Sequence, residues 1–185
     1  MMSRAKIDHV LRAAGAVTGL NQFVLIGAAA IFAWREDVPG ELAMTRDVDL
    51  FAQDATDDAG AAAAFELDGS LGRDSDFDNT FGYYCDGVES QTAILPSDWK
   101  TPARQYQSAS TNGVSALVPH PDDIAVSKLC AGRDKDLEWL AVASRHDLVN
   151  LELLATRFEK LPAGCLVGGA ETLRHRLQIV RSRLR

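Results

Sequence analysis

Cysteine, aromatic rings and long apolar runs are all scarce in this chain. The three cysteines, Cys85, Cys130 and Cys165, lie far apart with no Cys-x-x-Cys and no histidine at ligand spacing, which argues against both a zinc site and a disulfide framework and leaves buried thiols. No apolar run reaches the roughly 20 residues that cross a bilayer; even "FVLIGAAAIFAW" is too short. The opening "MMSRAKIDHV" lacks the apolar stretch and cleavage site of a secretory signal, so the chain is expected to act in the cytoplasm, away from membranes. His9, His120, His146 and His175 have no serine, cysteine or aspartate at a catalytic spacing, and none is assigned a catalytic role. Positive charge is in deficit too: the net charge of −7 opposes nonspecific attraction to nucleic acid. The one basic cluster, "RHRLQIVRSRLR", follows an apolar stripe of Leu173, Leu177, Val180 and Leu184 and reads as a solvated helix face rather than a nucleic-acid contact.

What is present is an ordinary globular composition, 46% hydrophobic and 24% charged over 185 residues, enough for one domain with a real core or a small domain with a helical extension. "IDHVLRAAGAVTG" repeats apolar residues at helical spacing (Ile7, Val10, Leu11, Ala14, Val17) and stops at Gly19. "QFVLIG" reads as a buried strand ending at Gly27, "AAAIFAW" as a helix, "DVDLFA" as a second buried strand and "DDAGAAAAFELDGSL" as a helix with acids at its start. From Phe81 to Val118, three to four short strands are expected in "FGYYCDGV", "QTAIL", "RQYQS" and "VSALV", with a turn at "LPSDW" and a hairpin turn at "TNG". After "PHPDD" the pattern is helical throughout, with Pro121 at a first helical position. The expected architecture is α/β, a small mixed sheet flanked by helices over residues 1–120, followed by a helical part over 121–185. "GRDSDFDNT" reads as an exposed acidic loop; its alternating Asp74, Asp76 and Asp78 lack the glycine and terminal glutamate of an EF-hand. Trp34, Trp99 and Trp139 read as core residues.

The chemistry is concentrated in "TRDVDL", residues 45–50. In an extended strand Asp47 and Asp49 share one face, and two like charges there are unfavourable without a cation. The alternative is an exposed strand end with solvated acids, but Val48, Leu50 and Phe51 make the strand look central. Upstream, Gly27 reads either as a plain tight turn or as a place where backbone approaches a phosphate, with amides of the following helix as its seat. Carboxylates beside a phosphate seat suggest magnesium, an oxygen-seeking ion usually shared with substrate phosphates.

Strand, Gly27-Ala28, helix and Asp-x-Asp strand in this order resemble the nucleotidyltransferase superfamily, whose signature adds a third carboxylate on a later strand. "DGVESQTAILPSDW" and "HPDDIAVSKLCAGRDKDLEWL" are similar to the branch that includes AbiEii-type toxins and bacterial nucleotidyltransferase-like proteins; the similar stretches cover residues 22–52 and 84–140. The resemblance implies transfer of a nucleoside monophosphate from a nucleoside triphosphate to a hydroxyl of RNA, protein or a small molecule, possible membership of a toxin–antitoxin pair with a protein partner, and two Mg2+ ions bridged by Asp47 and Asp49. It also implies a catalytic and metal-binding third acid, for which Asp86 and Glu89 compete; Asp86 is preferred because it follows "YYC" as the first pair follows its own apolar run. For nucleotide binding it points to Gly27, Ala28, Lys128 and Arg133, with Lys135 nearby. Lys128 reads otherwise as a helix-surface lysine, Arg46 as a partner of a neighbouring carboxylate, and Asp136 as a partner of Arg133. His120, beside Pro121, is expected to lie near the site without a catalytic role. Most active relatives have Gly-Ser or Gly-Gly where this chain has Gly27-Ala28, so the alternative function is an inactive binding or regulatory module on the same fold.

Overall fold

Strand β1 (Gln22–Ile26) is apolar at four consecutive positions because it is covered on both faces: Phe23, Val24, Leu25 and Ile26 are all buried. The computed structural model describes residues 1–165 and 169–184, and the chain divides into two compact units, Met1–Thr92 with Ala103–Val118, and Ala93–Pro102 with Pro119–Arg185.

In the first unit β1 is central in a mixed five-stranded sheet. Around it lie β2 (Asp47–Ala52), β3 (Tyr84–Gly87), β4 (Arg104–Tyr106) and β5 (Ser115–Val118), in the order β3-β2-β1-β5-β4. The β1–β2 and β4–β5 pairs are antiparallel, and β1–β5 and β2–β3 are parallel. The α/β expectation holds.

Helix α1 (Arg4–Thr18) starts at Ser3, whose hydroxyl accepts from the Lys6 amide, and stops at Gly19 in the left-handed region. Ile7, Val10, Leu11 and Ala14 are buried at the expected spacing, each large aliphatic contributing roughly 1.5–3 kcal/mol. Asp8, on the same helix, is also buried and accepts from the Tyr106 hydroxyl at 2.7 Å and the Ser108 hydroxyl at 2.8 Å. Helix α2 (Ile31–Trp34) is shorter than "AAAIFAW", because residues 27–30 form a turn first. Helix α3 (Asp57–Leu71) is capped by Thr56 and carries Asp57 and Asp58 in its first turn, where negative charge meets the helix dipole favourably.

Three local expectations are corrected. "GRDSDFDNT" is not a loop throughout: Ser75 caps α4 (Asp76–Phe81) by accepting from the Asp78 amide, and Gly82 ends it in a left-handed conformation. Asp78 is buried, and Arg46 pairs with it at 2.5 Å. "QTAIL" forms no strand; Ser90–Thr92 is a single 3-10 turn. The β4–β5 hairpin closes through a longer connection than "TNG", with a 3-10 turn at Ala109–Thr111 followed by Asn112 and Gly113 at positive φ.

The second unit packs α5 (Pro121–Ala131), α6 (Asp134–Arg145), α7 (Leu151–Phe158) and α8 (Gly169–Ser182) around Leu129, Leu140, Leu154 and Val180. Leu173, Leu177 and Val180 are the buried stripe of α8. Three arginines of the basic cluster are used inside the unit: Arg176 donates to the carbonyls of Leu129 and Cys130, Arg181 pairs with Glu152, and Arg183 pairs with Asp134. Among the described residues no helix is long and apolar enough to cross a membrane.

Candidate functional site

The alternation Asp-Val-Asp-Leu in β2 is an alternation of faces. Val48 and Leu50 are fully buried, whereas Asp47 and Asp49 are half-buried on the other side. β3 runs parallel to β2 in a register that sets Asp49 opposite Asp86 and Asp47 opposite Tyr84. The three carboxylates therefore converge: Asp47, Asp49 and Asp86 each offer an oxygen within 4.8 Å of the others. At that separation two full charges repel by roughly 3–4 kcal/mol at an effective dielectric constant of about 20. A set of hard carboxylate oxygens fits magnesium, calcium or manganese, and with no thiol or imidazole in it the softer metals fit less well.

Gly27 closes one side of this face. Its φ is +72°, and a Cβ at this position would lie 1.8 Å from Oδ2 of Asp49; backbone freedom and space both require glycine. Asp49 is opposite Ile26 in the β1–β2 ladder, so the Gly27 turn and the carboxylate are neighbours by register. The residues that follow, Ala28 to Ala30, are in the turn, and Ala28 brings no hydroxyl. Thr45 donates a short hydrogen bond from its hydroxyl to Asp47.

The opposite face of β3 belongs to the core. A Cβ on Gly87 would lie 2.2 Å from the Ala64 carbonyl oxygen of α3, and Asp68 of the same helix accepts from the Gly87 amide at 2.8 Å. Cys85 is fully buried there; burial first, then the Asp49 and Asp86 carboxylates, push its thiol well above the usual range. Tyr84 shares the Asp86 side. Its hydroxyl accepts from Nη2 of Arg73 at 2.6 Å. Burial raises the Tyr84 phenol, and the Asp47 and Asp86 charges add to that against the Arg73 hydrogen bond.

Neither Tyr84 nor Arg73 stands out in the sequence as a site residue. Parity with Asp86 marks Tyr84 once β3 is recognised; nothing local marks Arg73. Glu89, the other candidate third acid, is exposed and accepts a short hydrogen bond from Gln91, and it is not part of the three-carboxylate cluster.

Lys128 and Arg133 belong to the second unit, where they meet on Asp136. Lys128 Nζ is 3.4 Å from Oδ1 of Asp136 and 4.9 Å from the Trp139 ring centroid, and Arg133 Nε is 2.6 Å from Oδ2. Asp136 is buried. Burial alone would raise its carboxyl, but the Arg133 hydrogen bond and the Lys128 charge outweigh it and hold it below the usual range. His120 caps α5, its Nδ1 accepting from the Asp122 amide at 3.3 Å.

The model of a protein family described as "Nucleotidyltransferase of unknown function (DUF6036)" matches residues 5–175. No curated protein and no solved structure matches the chain.

Proposed function

The chain belongs to this family of nucleotidyltransferases of unknown function, and from that premise we propose that it is a magnesium-dependent enzyme acting in the cytoplasm, moving a nucleoside monophosphate from a nucleoside triphosphate to a hydroxyl. The observation that carries the reading is the convergence of three carboxylates on one sheet face against the Gly27 turn. Asp47, Asp49 and Asp86 would hold magnesium, all three from the 1–120 core. When bound, the metal supplies positive charge that acidifies an attacking hydroxyl and neutralises a departing pyrophosphate.

In the proposed reaction the acceptor oxygen forms a bond to the α-phosphorus, the bond from that phosphorus to the bridging oxygen of pyrophosphate breaks, and the hydroxyl proton is lost. The chain's own part is positioning and charge. Its carboxylates fix the reacting face, and the glycine turn lets the triphosphate approach backbone. For Lys128 and Arg133 the support is the sequence resemblance alone; to contact phosphate, they would share themselves with Asp136. The acceptor, whether RNA, protein or small molecule, and a toxin–antitoxin role with a protein partner rest on that resemblance too.

Incubation with magnesium and each labelled triphosphate tests the proposal. Pyrophosphate release that disappears in the Asp47→Asn/Asp49→Asn variant is the expected result. Metal-dependent triphosphate binding without any release or labelled product would favour the inactive binding module, the reading that Ala28 supports.

A further inference from the structure

We infer that Arg73 is the residue that positions the nucleotide's phosphate on the acidic face, held for that task by Tyr84. The inference rests on the nucleotidyltransferase reading. Tyr84 is opposite Asp47 in the β2–β3 ladder and two residues before Asp86, so its side chain leaves the sheet on the face of the three carboxylates. Its ring is buried, and its hydroxyl accepts from Arg73 Nη2 at 2.6 Å while the guanidinium carbon lies 5.2 Å from the ring centroid. Arg73 is thus laid along a fixed ring instead of extending freely. The Tyr84 hydrogen bond is the largest influence raising the guanidinium above its ordinary value, and the Asp86 and Asp74 carboxylates add to it.

A second arginine near the same ring shows what is particular about the first. The guanidinium carbon of Arg46 is 5.8 Å from the Tyr84 centroid, but that side chain pairs with buried Asp78 at 2.5 Å and donates to the Gly82 carbonyl at 2.9 Å. Arg46 holds α4 to the start of β2. Arg73 engages one of five guanidinium donors on Tyr84 and is otherwise exposed. Three carboxylates beside a binding face repel a polyphosphate. A permanent cation at their side, with a planar fork that matches two phosphate oxygens, offsets that repulsion and fixes the phosphate's orientation.

Calorimetry with manganese alone, and with manganese plus a nonhydrolysable nucleoside triphosphate analogue, tests this because the two readouts should move in different directions. Arg73→Met should weaken analogue binding about ten- to hundredfold, as loss of hydrogen bonds to a charged group implies. Manganese alone should bind as well or more tightly, since a positive charge beside the carboxylates is gone. Arg73→Lys should recover part of the loss. Tyr84→Phe should weaken analogue binding less than Arg73→Met, and should add nothing to it in the double variant. Wild-type analogue affinity in Arg73→Met overturns the inference, as does equal loss of both ligands together with a lowered melting temperature, or a lysine that recovers nothing while the fold is intact. If the wild-type protein binds manganese but no analogue, or binds neither, the nucleotidyltransferase reading fails and the role of Arg73 fails with it.

Discussion

Asp49 and Asp86 face each other across two parallel strands, in register and on the same side of the sheet. Adjacent strands are about 4.8 Å apart, so the fold fixes this like-charge pair by backbone geometry, with little freedom for the short side chains to separate. The repulsion between the two carboxylates opposes folding at this point of the sheet, and a cation bound by both of them would relieve it.

Asp49→Asn should therefore raise the melting temperature of the metal-free protein by several degrees, from a gain of about 1–2 kcal/mol at about 2–4 °C per kcal/mol. Millimolar magnesium should raise the wild-type melting temperature by mass action and leave the variant nearly unmoved. A wild-type melting curve indifferent to magnesium would sink the metal reading.

Gly27→Ala should destabilise by about 1–3 kcal/mol, because alanine resists the left-handed conformation and its Cβ meets Asp49. The two contributions separate in a double-mutant cycle. With Asp49→Ala in the background the collision is gone and only the backbone cost remains, so the two substitutions should be non-additive. Strict additivity in urea unfolding would show that Asp49 does not lie against the turn.

Asp123 of α5 is buried against Arg157, which donates from Nε at 2.6 Å and also pairs with Asp98. Burial pushes the Asp123 carboxyl up despite the arginine. Arg157→Met leaves that acid buried without its partner, at a cost of about 3–5 kcal/mol at neutral pH. A raised folded pKa means that the folded chain holds its proton more tightly than the unfolded one. The associated stability is full below the unfolded value near 3.9 and is lost as pH rises through the folded value. The variant, with the larger shift, should lose stability more steeply between acid and neutral pH than the wild type. Parallel pH–stability profiles for the two proteins would refute the pairing.

The thiols should sort by burial. Cys85 and Cys130 are buried, the first pushed well above its usual range and the second up to about 12, chiefly by burial; Cys165 is only half-buried. A thiol reagent at neutral pH should label Cys165 quickly and the other two at the rate of unfolding. Fast labelling of a Cys165→Ser variant would contradict the packing of β3 or α5.

Much of this was legible from period alone. Strands β1 and β2, helix α1 and the shared face of Asp47 and Asp49 follow from local alternation, which survives folding because each face has one fate. α4 was hidden because its cap, Ser75, and its acids lie in a run that reads as loop, although acids are welcome in a first helical turn. The convergence of Asp86 with the pair needed the β2–β3 register, which strands do not specify until they meet. Arg73 was the least visible. It reaches Tyr84 across eleven positions through a chain whose next residue, Asp74, takes a positive φ, and no spacing rule connects them.

The opposed duties of neighbouring positions in β2 and β3 have a consequence for genetics. In a saturation library scored separately for cellular abundance and for triphosphate binding, the two scores should separate with a period of two. Substitutions at Val48, Leu50, Cys85 and Gly87 should deplete the protein itself. Those at Asp47, Asp49 and Asp86 should leave it plentiful, even enriched, and silent. Such a comb of abundant alleles that bind no triphosphate would trace the sheet face that carries Asp47, Asp49 and Asp86.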